Sequence, residues 1–326
     1  MSHEITKTDT VVTQGAAWHG LSVEKPSLFP VREGMRLALP WEAEVSPETL
    51  AFTYPDGRTT MTDTRCIRRS DNGDCIGVCG QKTHLFGNRQ VEEFADTVEG
   101  ITGWRCSSVG SIFGGKKTFV TLAAGTEEDL GKGDTVRPYL TILNGFDGTT
   151  PLSVYRAALR VVCYNTFRAT LTGGGNLLRA RHTESLTIKV DAVIEAIRRG
   201  DTEAAAGREK VKALQTKQLN RDAIRNLWAD IVAREYGGMV QNPANGHDER
   251  RNARCAAFLA YCAETFDAES PKYGANAWIA VNAATKALQN LRAADIRTDD
   301  GRTNALIRGS LDEACAEAFS DALALC

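Results

Sequence analysis

Cys163, Asn165 and His182 are the residue types of a cysteine hydrolase, which needs a thiolate, a base and a group that orients the base. Cys163 follows Val161 and Val162, however, and there a buried, inert thiol is the simpler reading. Cys66, Cys75, Cys79 and His84 could be drawn around zinc, but only Cys75 and Cys79 approach the spacing of a ligand pair. On a strand those two would share a face and simply pack. The run from Gly110 to Thr118 nearly spells a phosphate-binding loop. That loop needs Ser or Thr directly after its Lys, to reach the metal, and then a helix. Lys117 occupies that position after Lys116, and residues 119–122 read as extended, so a glycine-tipped hairpin is expected. Its two lysines could still touch phosphate. Asp134, Asp147 and His182 are the partial equipment of a metal-dependent nuclease, yet turns explain both aspartates.

The cationic segment is the better signal. Residues 151–190 hold 6 Lys/Arg against 1 Asp/Glu, whereas residues 1–150 hold 15 against 20 and residues 191–326 hold 18 against 20. Arg156 and Arg160 lie four apart and share a face in a strand or a helix alike. Arg179 and Arg181 share a face on a following strand, with Arg168 between the pairs. Arginine forks fit phosphate oxygens, and Tyr155, Tyr164 and Phe167 offer rings on which unpaired bases could stack. Asn165 and His182 would add polar contacts. The competing reading pairs these arginines with the acidic surplus of the first 150 residues or with a neighbouring subunit.

The elements that must carry these residues follow from turn signals and periodicity. Pro26, Pro30, Pro40, Pro47 and Pro55 break the first third into short pieces. Residues 65–69 and 75–79 flank Ser70-Asp71-Asn72-Gly73-Asp74, a hairpin signal. A short helix is expected over 90–98, with Asn88 as its cap or turn residue. Strands are expected at 51–54, 104–112, 118–122 and 139–143. From 152 to 162 the sheet would continue, 163–171 would turn helical, and 177–183 would return as a strand. After His182 amphipathic helices are expected over 185–199, 202–218, 221–236, 250–266, 275–291 and 303–325. The fold class is therefore α+β: an N-terminal antiparallel-sheet domain with β-hairpins and short helices (1–190), then an all-helical part (191–326).

Bulk properties bound the rest. The composition, 42% hydrophobic and 25% charged, is that of a folded globular chain. No apolar run is long enough to cross a bilayer, and the polar N-terminus lacks the apolar core of a signal peptide. A cytoplasmic protein is expected. Its nine scattered cysteines are then expected to be reduced.

A combination of motifs resembles the phage/plasmid-like protein family, a domain of unknown function encoded by bacteriophages and conjugative plasmids. The matching pieces are Trp18-His19-Gly20, the Arg69-to-Gly73 hairpin, Asn88 before a helix, Phe146-Asp147-Gly148-Thr149, Arg160-Val-Val-Cys163-Tyr-Asn165-Thr166 and Arg181-His182-Thr183. They span roughly residues 15–200. The family pattern has His before Asp-Gly, where this chain has Phe146. The resemblance implies a mobile-element protein, and the basic stripe on a hairpin-and-helix unit is similar to the architecture of single-strand annealing proteins. The leading expectation is thus non-catalytic binding or annealing of single-stranded DNA by a homo-oligomeric ring or filament, with no cofactor and no membrane partner. Arg156, Arg160, Arg168, Arg179 and Arg181 would hold phosphates, helped by Lys116 and Lys117. The alternatives are an anti-defence factor that binds a host protein and a metal-dependent nuclease.

Overall fold

A computed structural model of the chain describes residues 9–15, 22–129, 131, 133–160, 165–166, 176–182, 190–292 and 310–326. Trp18-His19-Gly20, Cys163, Tyr164, Phe167, Arg168 and Thr183 lie outside the described residues. The architecture is α+β, with sheet and short helices first and most helical residues in the C-terminal half. Two compact units interleave along the chain. One comprises Met1–Thr126, Pro138–Arg156 and Gly175–Arg199, the other Glu127–Arg137, Ala157–Gly174 and Gly200–Cys326.

Twelve strands are described: β1 (Val11–Gln14), β2 (Ser22–Lys25), β3 (Ala43–Thr53), β4 (Thr59–Arg69), β5 (Cys75–Gly80), β6 (Arg105–Ile112), β7 (Lys117–Ala123), β8 (Glu128–Asp129), β9 (Thr135–Gly145), β10 (Leu152–Arg160), β11 (Asn165–Thr166) and β12 (Asn176–Ala180). In the first unit the main sheet runs β10-β9-β7-β6-β1-β2, with β12 on the free side of β10. It is antiparallel except at its edge, where β1 and β2 pair in parallel. A separate sheet is ordered β3-β4-β5. In the second unit, β8 pairs with the start of β9 and β11 with the end of β10. The helix expected over 163–171 is therefore replaced by strand at Asn165–Thr166, because Leu159 and Arg160 offer a ladder to Thr166 and Asn165.

Helices α1 (Val31–Ala38) and α2 (Asn88–Thr102) contribute to the core of the first unit. The buried stripe Val91, Phe94, Ala95 and Val98 has helical spacing, and it joins Val109, Val120, Leu140 and Ile142 from the strands. Each large apolar side chain removed from water in this way contributes about 1.5–3 kcal/mol before conformational entropy is set against it. α2 starts earlier than its periodicity predicts. The Glu42 carboxylate accepts from the backbone N–H groups of Asn88 (3.0 Å) and Arg89 (2.6 Å), and the Gln90 side chain accepts from that of Gly87 (2.8 Å). Asn88 is accordingly not the cap. It is a buried tie that donates to the Trp41 carbonyl at 2.9 Å. Glu99 does for α1 what Glu42 does for α2, accepting from the Val31 N–H at 2.7 Å.

Two readings of the cysteines change. Cys66 and Cys75 form a disulfide across the β4–β5 pair, so these two thiols are not reduced. Cys75 and Cys79 do not share a face either, since Cys75 is exposed and Cys79 buried. A register irregularity between Ile67 and Arg68 in the β4–β5 ladder breaks the simple alternation.

The second unit is built on α3 (Val190–Thr216) from Gly200 onward, α4 (Arg221–Tyr236), α5 (Gly246–Tyr273), α6 (Ala277–Ala287) with a π-helical turn at Leu288–Arg292, and α7 (Ser310–Leu323). The two helices expected on either side of Gly200 are one helix, α3. A single glycine costs only about 1 kcal/mol within a helix, and the alanine-rich turn after it favours continuation. α6 is buried almost all round and forms the centre of this core, with Trp228, Phe258, Trp278 and Phe319 among its large side chains. Asp134, a nuclease candidate in the sequence, is fully buried here and accepts from the Trp278 indole N–H at 2.8 Å. Among the described residues, no helix is long and apolar enough to cross a membrane.

Candidate functional site

The site grows from the turn that joins β9 to β10. Asp147 folds this turn around itself. One carboxylate oxygen accepts from the backbone N–H groups of Thr149 (2.8 Å) and Thr150 (2.7 Å), and the other from the Thr150 hydroxyl (2.8 Å). Lys117 Nζ stands 3.8 Å away, with both side chains largely buried. Burial alone would raise the Asp147 pKa, but the hydrogen bonds from Thr150 and Thr149 outweigh it and hold the carboxyl below its ordinary range.

The turn lies directly on β5, and two glycines make that approach possible. A side chain at Gly77 would strike the Phe146 carbonyl. Gly148 has φ +78°, and a Cβ there would stand 2.7 Å from the Val78 carbonyl oxygen. Phe146, at the position where a histidine was expected, is fully buried and meets Trp41 edge-on at 6.1 Å. It anchors the turn to the core.

His182 follows β12. Its Nδ1 accepts from the Phe86 backbone N–H at 3.2 Å, which places the neutral ring's proton on Nε2. Burial lowers the pKa of this imidazole, opposed by the Asp147 charge and by the Gly145 carbonyl. Nε2 is itself buried without a hydrogen bond. The Phe86 peptide is held from its other side by Asn144, whose side-chain amide donates to the Phe86 carbonyl at 2.6 Å.

Between β5, the β9–β10 turn and the end of β12 the first unit opens a cleft of about 740 Å³. Its lining includes the apolar Ile67, Leu85 and Pro151 and the polar Thr149, Thr150, Arg179, Arg181 and His182. Arg179 and Arg181 are exposed, and among the described residues no Asp or Glu lines the cleft. Among the described residues neither arginine has an ion-pair partner. Lys116 is exposed beside the turn, where its carbonyl accepts from the Phe146 N–H at 2.7 Å.

Other sequence candidates are placed elsewhere. Arg156 is only 2% exposed; its guanidinium donates to the Ile197 carbonyl at 2.9 Å and lies 5.6 Å from the Trp104 ring centroid. That burial removes it from any phosphate-holding surface. Lys117 is likewise buried, between Asp147 and the Phe113 ring at 5.2 Å. Tyr155 is half-buried on the other parity of β10. Arg160 pairs with Asn165 in the β10–β11 ladder, and their side chains lie outside the described atoms. The glycine hairpin that resembled a phosphate loop is already filled by the chain's own anion. Asp9 accepts from the Gly114 N–H at 2.7 Å and from the Ser111 hydroxyl at 2.6 Å.

Sequence reasoning passed over Thr150, Ile67 and Leu85. The Asp-Gly-Thr-Thr-Pro run is a recognisable turn, but nothing local shows that its outer side faces a cleft. A family model described as "Domain of unknown function (DUF932)" matches residues 76–309, which includes the turn, β12 and most of the helical unit. Neither a curated protein nor a solved structure gives a significant match.

Proposed function

The chain belongs to the DUF932 family, and with that as premise we propose that it binds single-stranded DNA without chemistry, as the oligomeric annealing protein of a phage or plasmid. The observation that carries this reading is the cleft where, among the described residues, the charged lining is Arg179 and Arg181 without a carboxylate. Arg179 lies on a strand backed by β10, and Arg181 follows one residue beyond its end, so the ladder fixes the backbone from which both planar guanidinium forks reach phosphate. Lys116 adds a third exposed cation beside the same turn. Arg156 and Lys117 leave the binding set and become its scaffold.

The test is binding of a labelled single-stranded oligonucleotide over a salt series. Affinity falls steeply with salt if phosphates are held, and the slope shrinks by about 0.7 for each phosphate that is no longer neutralised. The Arg179→Gln/Arg181→Gln variant is expected to bind more weakly with a flatter slope. Equal binding by variant and parent would overturn the assignment. Mass in solution with and without the oligonucleotide tests the oligomer.

A second reading, docking on a host protein, has an observation of its own. Phe52 and Tyr54 meet edge-on at 4.8 Å while both are exposed at the β3–β4 hairpin, and exposed large apolar groups in contact mark protein-binding surfaces. It predicts salt-insensitive capture of a protein and no DNA binding.

A further inference from the structure

The cleft is a concave pocket, and its chemistry is more selective than a phosphate stripe requires. Resting on the reading above, we infer that the cleft seats a terminal phosphomonoester of a nucleotide, whether a strand end or a free mononucleotide, with Arg179 and Arg181 on the phosphate and the apolar lining against sugar and base.

Charge is the first ground. A phosphomonoester carries about −1.5 to −2 at neutral pH, against −1 for a diester inside a strand. Among the described residues the lining supplies two guanidinium groups and no carboxylate, which matches the dianion. Among the described residues Asp147 is the carboxylate that adjoins the lining. Its charge is met by Lys117 at 3.8 Å and by the Thr149 and Thr150 amides, so it is neutralised within the turn.

Geometry is the second. Arg179 lies on β12 opposite Ser153 of β10, and Arg181 follows two residues later. Arg181 lies one residue past the end of β12, and both arginines line the same cleft, so two long side chains separated by one residue can reach a single phosphate. The same lining contains Ile67, Leu85 and Pro151, apolar groups suited to a sugar and base rather than to a second phosphate. The volume of about 740 Å³ fits one nucleotide-sized ligand and lies within the usual range for small-molecule sites.

The experiment uses the full chain and oligonucleotides of one sequence ending in 5′-phosphate, 3′-phosphate or hydroxyl at both ends, with a nucleoside monophosphate and its nucleoside as competitors. One phosphorylated end is expected to bind about tenfold more tightly than the hydroxyl ends, the gain of an added charge-assisted hydrogen bond. The monophosphate is expected to compete where the nucleoside does not, and Arg179→Gln or Arg181→Gln to erase both differences with an unchanged melting temperature. If oligonucleotides bind but the end group changes affinity by less than about twofold and the monophosphate fails to compete, the inference falls while strand binding stands. If the monophosphate binds but no oligonucleotide does, strand binding falls and the pocket assignment stands. If neither binds, both fall.

Discussion

Arg156 and Arg179 sit on neighbouring strands of one sheet and have opposite roles. Arg156 shares the parity of Leu152 and Val154, both fully buried, so its side chain enters the core and is satisfied there by the Ile197 carbonyl and the Trp104 ring. Arg179 stands opposite Ser153, on the other parity, and remains exposed at the cleft with Arg181. The residue type is the same and so is the local charge density. Strand parity decides which guanidinium is scaffold and which is available to a ligand. The same split separates Lys117, buried against Asp147, from Lys116, exposed one residue earlier.

The sharpest way to break this contrast is to exchange the roles. Arg156→Ala is expected to cost about 3 kcal/mol, because a charged hydrogen bond disappears and a cavity opens beside Trp104. Chemical denaturation would measure it, and a cost below about 0.5 kcal/mol would place Arg156 with the surface arginines. Lys117→Ala should follow at about 2 kcal/mol, since it leaves Asp147 buried without its cation. The 3.8 Å separation keeps this below the cost of breaking a tight buried pair. Arg179→Gln/Arg181→Gln should change stability by less than about 0.5 kcal/mol while lowering oligonucleotide affinity about tenfold or more at low salt. A variant that melts early would make these residues structural instead.

The smallest effect is set by pH. His182 has a folded pKa below its ordinary 6.5, so the unfolded chain takes up a proton before the folded one does. Its contribution to stability is complete above that value and is lost as pH falls below it toward the folded pKa. The added proton would also oppose the Phe86 N–H that Nδ1 accepts. Asp147, lowered from 3.8, adds a separate loss as pH falls through its own folded pKa. Thermal melts over acid pH should therefore weaken in two steps, and His182→Asn should remove the upper one. An unchanged upper step would mean that another group produces it.

Much of the fold was legible because it depends on local physics. The turn Ser70-Asp71-Asn72-Gly73-Asp74 joins β4 to β5 as expected, and α4 runs over Arg221–Tyr236, where apolar spacing placed it. The glycine tip before Lys117 closes the β6–β7 hairpin and not a phosphate loop. The site was half legible. Arg179, Arg181 and His182 were singled out and do line one cleft, whereas Arg156 was chosen for a shared face without asking which face. The alternation Leu152, Val154, Arg156 held that answer, since a cation in step with two aliphatic residues points with them.

By itself, then, the sequence determined the fold class, several hairpins and their turns, most of the C-terminal helices and the segment where positive charge collects. Period and turn chemistry act over a few residues and can be read in one dimension. Only tertiary structure decided which charges are spent. Glu42 caps α2 from 46 residues away, Glu99 caps α1 from 68, and Asp9 fills the glycine hairpin from 105. Hydrogen-bond partners so distant leave no local pattern, because a carboxylate that will be buried against an amide is spelled the same way as one that will face water.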